Sequence, residues 1–137
     1  MRNLISARAF SLVVALALAG PAAAQQAEIA ETIQRQMDAF LAEDEGAAFG
    51  FASPGIQGLF GTPENFGRMV RDGYPMVWSP GDVRFGKLAE RGGLWVQNVY
   101  VSDAAGAPHL LEYTMEQIDG RWCIAGVRIL EMPEAAV

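Results

Sequence analysis

The stretch YTMEQIDGRWCIAGVRI, residues 113–129, predicts a β-hairpin and with it the organisation of the second half of the chain. Its Asp119-Gly120 dipeptide lies between two runs rich in β-branched and aromatic residues, which is the strongest short-range signal for a two-residue hairpin turn. Such a turn determines the pairing of the strands on either side. The predicted pairs are Ile118–Arg121, Gln117–Trp122, Glu116–Cys123, Met115–Ile124, Tyr113–Gly126 and Glu112–Val127.

This register predicts which side chains face the core, because side chains alternate between the two faces of a strand. The expected inward residues are Tyr113, Met115, Trp122 and Ile124. The expected outer face carries Glu112, Thr114, Glu116, Ala125, Val127 and Ile129, with Cys123 facing outward or into an interface. A half-apolar outer face of this kind suits a homodimer surface.

The hairpin does not bring together a catalytic pair. Cys123 is the only cysteine and His109 the only histidine, and seven positions separate His109 from Glu116, the predicted partner of Cys123. Seven positions span roughly 23 Å and put the two side chains on opposite faces, which excludes a nucleophile–base contact within one chain. Glu112 and Glu116 would lie about 13 Å apart, farther than the roughly 5 to 9.5 Å of a glycosidase pair.

Two further strands are predicted before the hairpin, at residues 83–90 and 94–102, joined at Arg91-Gly92-Gly93. Both alternating sets of positions in 94–102 are apolar, so the pattern leaves open the face on which Trp95 lies. Together with the hairpin, these strands predict an antiparallel meander.

Three helices are predicted ahead of the strands. The first lies in residues 27–46 (AEIAETIQRQMDAFLAEDEG), which place apolar side chains at helical spacing, and we expect it to end near Ala42 because the acidic run at 43–45 is unfavourable at a helix C-terminus. Asp44 is the expected N-cap of a second, short helix, EGAAFGFA. Thr62 and Pro63 mark the N-cap and first position of a third, TPENFGRMVRDG.

Two short segments between these elements are predicted to be non-helical. Ser53-Pro54-Gly55 ends the second helix, and GIQGLFG, residues 55–61, is expected to form an apolar loop that closes one end of the core. YPMVWS, residues 74–79, is predicted as a short edge strand because Pro75 cannot donate to a ladder. Helices followed by strands indicate an α+β fold, with three N-terminal helices packed on a curved antiparallel sheet.

The first 24 residues have the pattern of an export signal. Two arginines and no acidic residue lead into an apolar run at residues 9–19, and small residues follow with an A-x-A site at Ala22 and Ala24. The run is much shorter than the roughly 20 apolar residues that span a membrane. We predict cleavage after Ala24, a single mature domain of residues 25–137 and a periplasmic or secreted location.

The net charge of the predicted mature chain limits the classes of partner that we expect. The chain has 10 basic and 16 acidic residues, and removing the two signal arginines leaves a mature net charge of −8. This excess of negative charge disfavours nucleic acid and anionic membrane surfaces. The acidic run at residues 43–45 lacks the ligand spacing and central glycine of a calcium loop. We therefore expect no metal, no cofactor and no catalytic set.

The motifs AFGFASPGI, NFGRMVRDGYPMV and DGRWCIAGV resemble those of short exported bacterial proteins grouped as domain of unknown function 4864. The similarity covers nearly the whole predicted mature chain. It implies the cone-shaped fold of nuclear transport factor 2 and ketosteroid isomerase, in which a curved sheet and three helices enclose a pocket open at one end. The resemblance implies no catalytic residue, and that fold carries enzymes, binding modules and dimerisation modules.

Three functional hypotheses follow. The leading one is an exported, non-enzymatic module that binds a small apolar molecule or a protein partner. Its candidate pocket residues are Tyr74, Trp78, Trp95, Tyr113, Met115 and Trp122. The second is a small isomerase or cyclase-type enzyme, which needs a buried carboxyl beside Tyr113 or Tyr74, with Asp72 as the best candidate. The third is a structural dimerisation domain that pairs through the outer sheet face.

Overall fold

The computed structural model describes residues 20–133 of the 137-residue chain. Its helices are α1 (Pro21–Leu41), α2 (Glu45–Gly50), α3 (Pro54–Phe60), α4 (Pro63–Gly73) and α5 (Pro75–Trp78). Its strands are β1 (Val83–Arg91), β2 (Leu94–Ser102), β3 (Pro108–Ile118) and β4 (Arg121–Leu130). The strands form one antiparallel sheet in sequential order, so the architecture is α+β as predicted.

The expected export signal falls mostly outside the described residues. Its charged and apolar parts, residues 1–19, are among those that the structure does not describe. Ala22 and Ala24 lie exposed in the first turns of α1.

The capping residues act where the sequence predicts them. The Asp44 carboxylate accepts the N–H of Ala47 at 3.0 Å and begins α2. The Thr62 hydroxyl accepts the N–H of Asn65 at 3.2 Å, and Pro63 occupies the first position of α4. These side chains satisfy backbone donors that have no partner inside a helix.

α3 replaces the apolar loop that we expected at residues 55–61, and that prediction is wrong. The Ser53 hydroxyl accepts the N–H of Ile56 at 3.3 Å, and Pro54 occupies the first helical position. A Ser-Pro pair is a good helix start, because proline lacks the N–H that would lack a partner there. The same pair that ends one helix thus begins the next.

α5 likewise replaces the edge strand that we expected at residues 74–79. Pro75 again stands at the first helical position, and Met76 and Val77 on the following turn are buried. Core contacts of these two side chains outweigh the strand preference of a short apolar run.

The last hairpin has the predicted register near its turn and a different one beyond it. Four predicted pairs are confirmed, namely Ile118–Arg121, Gln117–Trp122, Glu116–Cys123 and Met115–Ile124. A bulge at Ala125 then shifts the register, so that Thr114 pairs with Gly126 and Tyr113 with Val127. The predicted pairs Tyr113–Gly126 and Glu112–Val127 are therefore wrong, because the bulge adds one residue to β4.

The bulge also exchanges the two faces of β4, since a one-residue shift turns each following side chain to the other side. Val127 packs against the core instead of facing outward. Arg128 pairs with Glu112 on the outer face, where its guanidinium lies 2.8 Å from the Glu112 carboxylate and that of Arg91 lies 3.7 Å away. The outer face is consequently more polar at this point than the sequence predicts.

Two further residues have positions that the sequence left open. Trp95 lies on the core face of β2, partly buried. Cys123 is fully buried at 0% exposure, with its sulfur 3.9 Å from the carbonyl oxygen of Arg121. Its pairing with Glu116 places Cys123 on the outer face, as the register predicts. Its side chain is nevertheless covered there, so the thiol behaves as a small apolar group and is not available to an interface.

The core lies between α1 and the inner sheet face. α1 contributes Ile29, Ile33, Met37 and Phe40, each at most 1% exposed. Their spacing of three and four residues places them on one side of the helix, as its apolar pattern predicts.

Candidate functional site

A cavity of about 220 Å³ lies between the helices and the last strand. Residues of α1, α3, α4, α5 and β4 line it, and most of their side chains are aliphatic or aromatic. The polar side chains in its wall are those of Gln36 and Tyr74. Within residues 20–133, no acidic or basic side chain lines the cavity.

The wall formed by α3 is held against β4 at the bulge. The Ser53 N–H donates to the carbonyl of Ile124 at 2.8 Å, and the Ile124 N–H donates to the carbonyl of Phe51 at 2.8 Å. Ala52 thereby forms a parallel bridge with Ile124 immediately before α3 begins. The bulge then directs Val127 into the same cavity.

Aromatic rings form the opposite wall. Phe66 of α4 contacts the rings of Phe40, Phe49 and Phe60 at centroid separations of 5.9, 5.5 and 5.8 Å. Tilted and edge-on contacts of this kind make a stiff apolar surface. Leu59 also lines the cavity but is 74% exposed, so it lies at the mouth, where α3 meets solvent.

The two polar residues of the wall each have one backbone partner. The Tyr74 hydroxyl donates to the carbonyl oxygen of Val127 at 3.0 Å and so connects the start of α5 to β4. Gln36 is 3% exposed, and its Nε2 donates to the carbonyl oxygen of Ala48 at 3.1 Å, which connects α1 to α2.

Two more polar groups are buried on the inner sheet face, outside the cavity wall. Gln97 and Tyr113 are paired across β2 and β3, and both are 0% exposed. Within the described part of the chain, Gln97 Oε1 and the Tyr113 hydroxyl have no hydrogen-bond partner. Burial, together with the nearby Tyr74 phenol, raises the pKa of Tyr113 well above its ordinary value, so that this hydroxyl stays neutral.

The structure separates the six candidate pocket residues. Tyr74 lines the cavity, whereas the other five are not in its wall. Tyr113, Met115 and Trp122 are packed in the core at 0%, 0% and 5% exposure. Trp78 and Trp95 pack partly buried against that core.

The cavity wall consists largely of residues that the candidate list does not contain. Phenylalanines of α1, α3 and α4 and a buried glutamine form much of it. The signal that could have identified Gln36 is its place on the apolar side of α1, one residue before Met37 and three after Ile33.

A second, open cleft of about 490 Å³ lies beside α1 and the β3–β4 turn. Apart from the exposed Arg121, its polar side chains already have partners. Trp122 Nε1 donates to the Glu28 carboxylate at 3.0 Å, and Arg35 forms an ion pair with Glu31 at 2.6 Å. We therefore regard the first cavity as the candidate functional site.

His109 stabilises the β2–β3 loop. Its Nε2 lies 2.8 Å from the Asp103 carboxylate, which also accepts the N–H groups of Ala105 and Ala107. The His109 hydrogen bond, followed by that of Ala107, lowers the pKa of Asp103. Residues 20–133 contain no group of three His, Cys, Asp or Glu side chains arranged to hold a metal ion.

Comparison with known proteins places the chain in a family. A solved structure described as an NTF-2 like protein of unknown function from Burkholderia xenovorans LB400 is similar at 18% identity and a TM-score of 0.44, over 80% of this chain and 90% of that one. None of the curated proteins compared with the chain matches it. No helix between residues 20 and 133 is long and apolar enough to cross a membrane. A family model described as "domain of unknown function (DUF4864)" matches residues 22–137, and the chain therefore belongs to that family.

Proposed function

We propose that this protein binds a small, neutral, apolar molecule in the cavity between α3, α4 and β4. The observation that carries the proposal is an apolar cavity of about 220 Å³ whose wall contains no charged side chain within residues 20–133. An apolar cavity leaves its lining without packing partners on one side, so an apolar occupant would restore those contacts. A charged occupant would lose its hydration without gaining a partner.

The size of the cavity limits the occupant. An apolar cavity of about 150 Å³ holds benzene, and the present one is moderately larger. A monocyclic aromatic compound or a short aliphatic chain fits that volume. The exposed Leu59 at the mouth offers a route of entry that avoids the packed core.

The enzyme hypothesis has less support. It needs a carboxyl in the cavity beside a tyrosine, and Asp72, the best candidate in the sequence, is exposed. Tyr74 does line the cavity, but its hydroxyl donates to a backbone carbonyl. The dimerisation hypothesis also has less support, because the bulge moves Val127 to the core face and so removes an apolar side chain from the outer face that was expected to form the dimer surface.

The binding proposal is tested with toluene as the probe, by following methyl and backbone signals of the folded protein in a nuclear magnetic resonance titration. We expect saturable one-to-one binding, with the largest shifts at Ile56, Leu59 and Val127. The half-buried Ile56 lines the cavity, so Ile56→Trp should occupy the space and abolish binding.

Leu41→Trp is the matched control. Leu41 is 54% exposed and lies outside the cavity wall, so this variant should bind toluene as the original does. Non-saturable shifts spread over the surface, or unchanged binding by Ile56→Trp, would rule out the proposed function.

We also propose that the chain is exported to the periplasm or beyond. The order of charged, apolar and small residues in positions 1–24 supports this. The mass and N-terminal sequence of protein recovered from cell fractions test it. A chain that begins at Gln25 outside the cytoplasm is expected, and an intact N-terminus on cytoplasmic protein would contradict it.

A further inference from the structure

We propose that the occupant of the cavity carries a hydrogen-bond donor, such as a phenolic or alcoholic hydroxyl, and that Gln36 Oε1 accepts it. This inference rests on the proposed function and names the chemical class of the ligand. A purely apolar molecule would fill the cavity, but it would leave Gln36 Oε1, an acceptor in the wall, without a donor.

The position of Gln36 is unusual for a glutamine. It is 97% buried, on the core side of α1, between the fully buried Ile33 and Met37. Burying an amide without full hydrogen bonding costs free energy that an aliphatic side chain would not. Because Gln36 lines the cavity, the cavity is the space into which its free polar group can be directed.

The hydrogen bond to Ala48 identifies which atom of Gln36 is free. A carbonyl oxygen can only accept, so the group that faces Ala48 at 3.1 Å is the Nε2 donor. Oε1 is consequently the remaining atom, and within the described residues no group donates to it. Two polar side-chain atoms of the described residues are fully enclosed without a partner, Gln97 Oε1 and the Tyr113 hydroxyl oxygen. Gln36 Oε1 is not one of them, so it is not fully enclosed.

The other polar group of the wall, the Tyr74 hydroxyl, keeps acceptor capacity on its oxygen, and the Gln36→Met variant distinguishes these two acceptors. The Tyr74 hydroxyl already donates to the carbonyl of Val127 at 3.0 Å. Gln36 Oε1 is an acceptor, so it can form a hydrogen bond with a ligand donor but not with an ether oxygen or a methyl group at the same place. A ligand hydroxyl would thus be recognised within an otherwise apolar enclosure.

A structural role for Gln36 alone is the competing explanation, and Gln57 provides the matched control for it. Gln57 Nε2 donates to the carbonyls of Phe49 and Ala52 at 2.9 and 3.1 Å, so it also connects helical segments. Gln57 lies outside the cavity wall. Gln36→Met and Gln57→Met each remove a glutamine that bonds backbone carbonyls, but only the first changes the cavity.

The test compares dissociation constants for phenol, anisole and toluene, three ring compounds that differ in one substituent. We expect Gln36→Met to weaken phenol relative to toluene by about tenfold, the factor that one net hydrogen bond gives. Gln57→Met should leave the ratio of the two constants unchanged. Anisole, which accepts but does not donate, should follow toluene.

Each outcome separates the inference from the proposed function. If toluene and phenol both bind but Gln36→Met leaves their ratio unchanged, the inference fails and the proposed function stands. A preference for anisole equal to that for phenol would assign the contact to Nε2 and overturn the donor claim. If none of the three compounds binds, the proposed function itself fails.

A measurement on the unaltered protein covers the case in which Gln36→Met does not fold. The side-chain amide signals of Gln36 should shift on saturation with phenol and move much less with toluene. Equal shifts with the two compounds would contradict a hydrogen bond to this side chain.

Discussion

Among the described residues two glutamines are buried, and they differ in what surrounds the free oxygen of each side chain. Gln97, at 0% exposure, donates through Nε2 to the carbonyls of Gly86 and Asn98 at 3.0 and 2.9 Å. Its Oε1 is enclosed without a partner next to Tyr113. Gln36, at 3% exposure, also donates to a backbone carbonyl, but it borders the cavity.

The comparison shows how the same type of side chain can serve two different purposes. At the packed end of the inner sheet face, around Gln97, Tyr113 and Met115, the unpaired groups are fully buried and border neither of the two cavities described above. The Gln97 amide there supports the bulge in β1. At the cavity end, around Gln36 and Met69, a similar amide adjoins space for a ligand. Adjacent volume, more than residue type, distinguishes a structural polar group from a binding one.

The largest expected difference between the two ends concerns truncated methionines. Met115→Ala at the packed end should lower the free energy of unfolding by roughly 2 to 5 kcal/mol, because Met115 is fully buried and its loss opens a new void. Met69→Ala at the cavity end should cost about 1 kcal/mol, since Met69 is only partly buried beside existing space. Urea unfolding curves with equal slopes measure both.

Equal losses for the two methionine variants would contradict the comparison. That result would mean that the cavity end is packed as tightly in solution as the other end. Met69→Ala should also admit a larger ring compound, which a toluene-to-naphthalene series would detect.

A smaller contrast is expected between Tyr74 in the cavity wall and Tyr113 at the packed end. Tyr74→Phe removes a hydrogen bond to Val127 and should lower the free energy of unfolding by about 1 kcal/mol. Tyr113→Phe removes a buried hydroxyl that has no partner in residues 20–133, so stability should stay the same or rise by up to about 1 kcal/mol. Thermal and urea unfolding of the two variants against the original protein test this.

A loss of stability in Tyr113→Phe would show that its hydroxyl is hydrogen-bonded in solution. An ordered water between Tyr113 and Gln97 would account for such a result. An unchanged free energy of unfolding in Tyr74→Phe would likewise remove the contrast between the two tyrosines.

The sequence predicted the packed end of the protein much better than the cavity end. The Asp119-Gly120 turn determines the four hairpin pairs nearest to it, and those pairs place Met115 and Trp122 in the core. Asp44 and Thr62 begin their helices as their side-chain chemistry predicts. Each of these features depends on a local rule that acts within a few residues.

The cavity depends on the three features that the sequence did not reveal. α3 was hidden because Ser53-Pro54 looks the same whether a helix ends or begins there. α5, which follows Tyr74, was hidden in a run with strand character. The bulge at Ala125 has no turn residue of its own, and it arises where Ile124 bonds to the segment before α3. α3 begins at a local cap that the sequence leaves ambiguous, and long-range contacts decide α5 and the bulge, so periodicity could not show the pocket.

The smallest expected effect tests the enclosure of the packed end through pH. Tyr113 has a pKa raised above its ordinary value near 10, because its phenolate would be buried. Above pH 10 the unfolded chain releases this proton and the folded one keeps it, so the free energy of unfolding falls as pH rises. At pH 10.5 this group should account for a loss of somewhat under about 1 kcal/mol. Tyr113→Phe should remove this pH-dependent loss of stability. Tyr100 is partly exposed on the outer face beside Arg84, and Tyr100→Phe should leave the loss in place. Parallel pH profiles for the original protein and Tyr113→Phe would mean that solvent reaches the packed end, and the distinction between the two ends of the inner sheet face would then be lost.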